Sequence, residues 1–293
     1  MALLSPPVEA VATGRLQISD LPRLARRQPL VVLGGGLLAL MIVLALAAPL
    51  YVGDPLNMDP FKRLQPASAE MWFGSDNLGR DVFARTMFGA RISLMVGLIS
   101  AAGAALGGLL IGVLAGYSRG FDSIAMRVMD GLMSIPTVLL AIALISLTGP
   151  GVGILIFAIT IVQLPSVTRI VRSVVMSVRQ RPYVEAAICG GARLPKVLWR
   201  HILPSTIPAL MVQSAIVCAD AILTEAGLSF LGVGVPPDIP SWGNMISSSR
   251  LYLAIAPLTV FAPGICLAVM VLAVNLLGDG LRDFFDPRAK RRR

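Results

Sequence analysis

Long uncharged stretches alternate along this chain with short polar ones. No charged residue occurs from Gln28 to Gly53, from Ile92 to Tyr117, from Gly131 to Thr168 or from Tyr252 to Gly278. Roughly 20 apolar residues in a helix cross about 30 Å of hydrocarbon, so the first two stretches predict spans one and two. The third stretch is too long for one crossing, and "TGPGVG", Thr148 to Gly153, puts helix breakers in its middle. It predicts span three from near Ile124 and span four ending near Val171. Span five is predicted from about Ser205 to Leu228, with Asp220 and Glu225 inside it, and span six from about Tyr252 to Gly278. The pattern predicts an all-α polytopic membrane protein, with six transmembrane helices and both termini on one side.

Composition agrees, since 56% of the 293 residues are hydrophobic and only 14% charged. The net charge of +9 raises the question of nucleic acid, and the positions of the basic residues answer it. Only Lys62, Arg63, Arg80, Arg85, Arg91 and Arg250 fall on the side opposite the termini, and the rest of the 25 are spread over every segment on the terminal side. Basic residues gather on the cytoplasmic side of membrane proteins, so both termini are expected to be cytoplasmic, with no nucleic-acid partner. The expected layout is a cytoplasmic tail over 1–27, a first anchor over 28–53 and an extracytoplasmic segment over 54–91. A core over 92–278 follows, with a cytoplasmic loop at 179–204, and then a basic tail over 279–293. Ala45-Leu46-Ala47 looks like a signal-peptidase site, but the apolar run is too long and further spans follow, so an uncleaved anchor is expected. Cys189, Cys218 and Cys266 lie far apart without ligand spacing and predict neither a metal site nor a disulfide.

Span two repeats small residues four apart, Gly103 and Gly107, then Gly108, Gly112 and Gly116. This lets another helix approach closely, from within the chain or from a partner. The polar stretch "EAAICGGARLPKVLWRHILP", Glu185 to Pro204, carries two glycines, two prolines and the single histidine. It predicts a short helix, a turn at Gly190 and Gly191, and a second short helix leading into span five. Such a helix, about 15 Å long, is marginal alone in water, so it rests either on the bilayer surface or on another protein.

The spacing within that stretch, Glu185-Ala186-Ala187, then Gly191, then Leu203-Pro204, resembles the EAA signature of the membrane-spanning permeases of bacterial ABC importers. His201 stands where the general signature has isoleucine, as in the peptide-permease branch. Three more stretches resemble permeases of the dipeptide, oligopeptide and nickel importers: "FGSDNLGRDVFARTMFGARISL" (Phe73 to Leu94), "LTEAGLSFLGVGVPPDIPSWGNMI" (Leu223 to Ile246) and "LLGDGLRDFFDP" (Leu276 to Pro287). Together they cover nearly everything after span one, in the expected order, and the single N-terminal anchor fits the second permease of the usual pair, the C component.

The resemblance implies a type I ABC importer permease architecture. It implies that Glu185, Ala186, Ala187, Gly191, Arg193, Leu203 and Pro204 couple to an ATPase subunit. The implied partners are a second homologous permease, two ATPase subunits, an extracytoplasmic substrate-binding protein and the lipid bilayer. No GxxxxGK[ST] phosphate loop occurs in the chain, so ATP and Mg are expected on the partner ATPases, with no cofactor, metal or catalytic residue here. Peptides are the expected cargo, with nickel chelates, glutathione or opine-like compounds as alternatives within the same importer class.

Asp220, about 22 Å along span five, is a candidate for the translocation path or for the interface with the second permease. Glu225 is expected near the outer surface, where it needs no special partner. The loop from Ser229 to Ala256, rich in glycine and proline, makes Phe230 and Trp242 candidates for docking the binding protein or closing the outer mouth. An ion-coupled secondary transporter would show coupling residues at the midplane and internal repeats, and a membrane enzyme would show a nucleophile, base or metal set; the chain displays neither pattern.

Overall fold

A computed structural model describes residues 29–285. The tail 1–27 and the end of the basic tail lie outside the described residues. Ten α-helices are named here in chain order: α1 (Pro29–Tyr51), α2 (Val82–Tyr117), α3 (Arg119–Ser134), α4 (Thr137–Thr148) and α5 (Val152–Arg179), then α6 (Pro182–Cys189), α7 (Leu194–Val197), α8 (Leu203–Phe230), α9 (Trp242–Ser249) and α10 (Leu258–Phe285). The described residues hold no β-strand, only an isolated bridge between Ser75 and Asp81. Among the described residues, five helices are long and apolar enough to cross a membrane: α1, α2, α5, the unbroken run Leu194–Phe230 and α10. Counting α3 and α4 as one broken span makes six.

The glycine stripe explains how the centre packs. Gly103 faces Thr160, Gly107 faces Leu164 and Gly108 faces Val167, while Gly112 and Gly116 meet Val171 and Val175, all on α5. A Cβ at Gly108 would stand 2.6 Å from Val167 Cγ1, and one at Gly112 2.8 Å from the Thr168 carbonyl oxygen. The stripe is therefore occupied within the chain by α5. α8 crosses the same helix nearer its start, where Gly97 lies under Ile222 and Cys218. α1 lies against α10, with Gly34 tight on the Leu277 backbone. Val167, Val171, Val175, Val217, Ile222, Met270 and Val274 fill the core these helices share.

Three boundaries differ from the sequence expectation. α2 begins at Val82, not Ile92, because Asp81 caps it by accepting from the Phe83 N–H, and the turn before it folds back on the helix. The charges at Arg85 and Arg91 therefore sit inside the helix. Span three is not one straight helix from Ile124: α3 and α4 meet at 95°. Pro136 forces Ile135 out of the helical region, to φ −95° and ψ 130°, and the chain turns there. Span five does not start afresh after Pro204. A five-residue π-helical turn, Leu198–Ile202, joins α7 to α8 and lets the helix pass Pro204 without stopping.

Candidate functional site

The polar segment between α5 and α8 is built around one anchor. Val184 on α6 is fully buried in the core with Val178, Val197 and Ile202, and this pins the short helix to the bundle. Its neighbours turn outward: Glu185, Ala186 and Ile188 are exposed and Ala187 is half-buried. The helix then ends in a Schellman motif. The Gly191 N–H donates to Ile188 O at 2.9 Å and the Ala192 N–H to Ala187 O at 3.0 Å, with Gly191 at φ +81°. This geometry accounts for glycine at Gly191: a side chain would meet nothing within 4 Å, so the demand comes from backbone conformation, not space.

Arg193 and Pro204 are exposed and Leu203 is half-buried, so the expected coupling residues lie together in and around one outward-facing helix-turn-helix. Glu185 has no ion-pair partner among the described residues. It lines a cavity of about 380 Å³ shared with Tyr117, Asp122 and Arg179. Tyr183 and His201 face each other with ring centroids 5.9 Å apart, and among the described residues no cluster of three metal-ligating side chains occurs.

Two ion pairs beside this segment were not read from the sequence. Asp122 forms a double contact with Arg172, the Arg172 Nη2 donating at 2.6 Å, and Arg169 donates to Asp130. Arg179 completes the seam by donating to Tyr117 O at 2.8 Å while lying over the Tyr117 ring. The two ion pairs hold the amphipathic α3 against α5, and Arg179 ties α5 to the end of α2. Charges 39 and 50 residues apart carry no pairing signal in one sequence.

At the other end of the bundle the expectations need correction. Trp242 is fully buried, its indole N–H donating to Thr86 O at 2.9 Å and its ring resting on Gly89. It offers no surface for docking; instead it fixes α9 to α2. Glu225, expected near the surface, is also fully buried. It accepts from Ser93 Oγ at 3.0 Å and from Ser229 Oγ at 2.9 Å, and Ser229 Oγ in turn accepts from the Val235 N–H. The segment after α8 folds back over it, and the buried carboxyl group ties that segment to α2 and α8. Phe230 is partly exposed at the end of α8, under the guanidinium of Arg250. Asp220 points away from the bundle and is exposed on the isolated chain.

A bundle of long apolar helices with an exposed helix-turn-helix at one end has the make-up of a polytopic membrane protein. Residues 108–291 match the family described as "Binding-protein-dependent transport system inner membrane component". The chain belongs to that family and is an ABC importer permease subunit. It is 77% identical over 284 residues to the "Probable peptide ABC transporter permease protein" of Sinorhizobium fredii, covering 97% of this chain and 98% of that protein. It is 40% identical over 268 residues to the glutathione transport system permease of Pectobacterium atrosepticum, covering 90% and 89%. Its fold resembles that of a chain in a crystal structure titled as an amino acid ABC transporter with histidines, with a TM-score of 0.55 at 14% identity, over 69% of this chain and 95% of the other.

Proposed function

We propose that this chain carries peptides across the cytoplasmic membrane as one of two permeases in an importer driven by separate ATPase subunits. The observation that carries the reading is the outward-facing coupling segment, in which Val184 is buried for anchorage while Glu185, Ala186 and the Gly191 turn stand free for a partner. The peptide cargo is supported by the similarity to the Sinorhizobium fredii permease. Glutathione, itself peptide-like, is the second reading, favoured by the Pectobacterium relative.

In this reading both termini and the coupling segment are cytoplasmic, consistent with the basic residues concentrated on that side. Each of two permeases seats a coupling helix on an ATPase subunit, and ATP with Mg acts there. ATPase closure draws the inner segments together, the spans open outward, and a binding protein delivers cargo. The outward state must be favoured by the ATP-bound partners more than the inward one for this cycle to turn. Asp220, exposed on α8, faces either the path or the second permease.

A mild-detergent pull-down of the wild type and Glu185→Lys from native membranes tests the assembly. Recovery of a second permease with Walker-motif ATPases, and loss of the ATPases in the variant, is expected. A chain recovered alone that still transports overturns the reading.

A further inference from the structure

The outer end of the bundle holds a charge cluster that the import reading leaves unused. Asp76, Arg80 and Arg85 are all at least nine-tenths buried. Asp76 is fully engaged: Oδ1 accepts from the Leu78 and Arg80 N–H groups, and Oδ2 accepts from Arg80 Nε at 2.7 Å. Arg85 finds only what remains. Its Nε stands 3.8 Å from that same Asp76 Oδ2, and its Nη1 donates to Pro55 O at 3.4 Å. Two buried guanidiniums thus share one carboxylate, and Arg85 keeps most of its five N–H donors uncommitted among the described residues.

Arg80 and Arg85 line a cavity of about 450 Å³ between the start of α2, the outer loop and α9, within the size range of small-ligand sites. Asn77 shares the wall, and its Oδ1 is a buried acceptor without a hydrogen-bond partner among the described residues. Ser247 and Ser248, also in the wall, donate their hydroxyl protons to Phe230 O and Met245 O, which leaves each oxygen with acceptor capacity. Asp238 is the acid at the rim, and it is exposed.

The cavity therefore offers guanidinium donors beside neutral acceptors. The ligand chemistry that complements both is a carboxylate with an N–H group next to it. We propose that this cavity binds the carboxyl-terminal end of a peptide at the outer mouth, the carboxylate on Arg85 and Arg80 and the adjacent amide N–H toward Asn77. This deepens the peptide-import reading and rests on it. Planar guanidinium-carboxylate pairing gives the site its preference for a free carboxylate over a neutral end.

Saturation-transfer NMR on the assembled importer in nanodiscs, without binding protein, tests the site with alanyl-alanine, alanyl-alaninamide and acetate as probes. Transfer is expected to alanyl-alanine and acetate and not to the amide. Both signals should fall about tenfold or more in Arg85→Gln. Should that variant fail to assemble, Asn77→Asp carries the test: it is nearly isosteric and supplies the carboxylate from the wall, so probe binding should disappear from an intact complex. Equal transfer to the amide, or unchanged signals in assembled Asn77→Asp, overturns the site. Peptide uptake with binding protein present is measured on the same preparation. Uptake without probe binding removes the site and leaves the import reading standing, whereas probe binding by acetate alone, without peptide uptake, removes both.

Discussion

Two residues show how a single position serves the whole. Gly191 sits in a left-handed conformation with open space around it, so its replacement tests conformation alone. Gly191→Ala should cost about 1–2 kcal/mol locally and weaken ATPase stimulation by substrate, while Gly191→Asn, which tolerates that conformation, should retain most of it. ATPase assays on the reconstituted complex compare them. Glu225 is the second case. Glu225→Gln can keep a hydrogen bond to each of Ser93 and Ser229, one of them with its direction reversed, and should assemble normally, whereas Glu225→Leu leaves both hydroxyl protons without their acceptor and should lower stability by about 1–3 kcal/mol, read as earlier melting in detergent. At this scale the sequence was partly legible. The need for a turn at Gly191 could be read from its glycines, but the burial of Glu225 could not, because counting along α8 gives depth and says nothing of a loop folding back over it.

Helices carry the next set of consequences. Gly112→Val forces a side chain into Thr168 O and Val171, so it should part α2 from α5 and abolish accumulation of the protein in the membrane. Gly120→Ala on α3 meets nothing within 4 Å and should be tolerated or mildly stabilising, and immunoblots of membrane fractions distinguish the two. Arg172→Asp should release α3 from α5, and the exchange Asp122→Arg with Arg172→Asp should restore the contact; because both side chains are partly exposed, the effect on stability is about 1 kcal/mol or less, and the sensitive readout is protease access to α3. Hydropathy, with the helix breakers at Thr148 to Gly153 dividing one over-long run, made five of the spans legible. It failed at α3 and α4, where no charge marks the break and the bend comes from Pro136 acting on Ile135. It failed again at Pro204, where a π-helical turn absorbs a residue that normally ends a helix.

For the molecule as a whole, the native cysteines report topology without engineering. Cys189 is exposed at the end of α6, whereas Cys218 is buried and Cys266 half-buried. A membrane-impermeant maleimide should label Cys189 in inverted vesicles and not in intact spheroplasts, and bound ATPase subunits should slow that labelling. Labelling of Cys189 from the outer side would reverse the orientation and remove the coupling assignment.

The run Leu194–Phe230 is one helix of 37 residues, about 55 Å from end to end. Its inner tip follows directly on the Gly191 turn, and its outer tip carries Glu225 and Phe230. It is therefore a lever without a joint other than the wide turn at Leu198–Ile202. A tilt of about 5° at the inner tip would swing the outer tip by roughly 5 Å, so a small push from below is delivered above as a displacement the size of a side chain. A softer or stiffer turn at Leu198–Ile202 would set how much of that stroke is lost on the way.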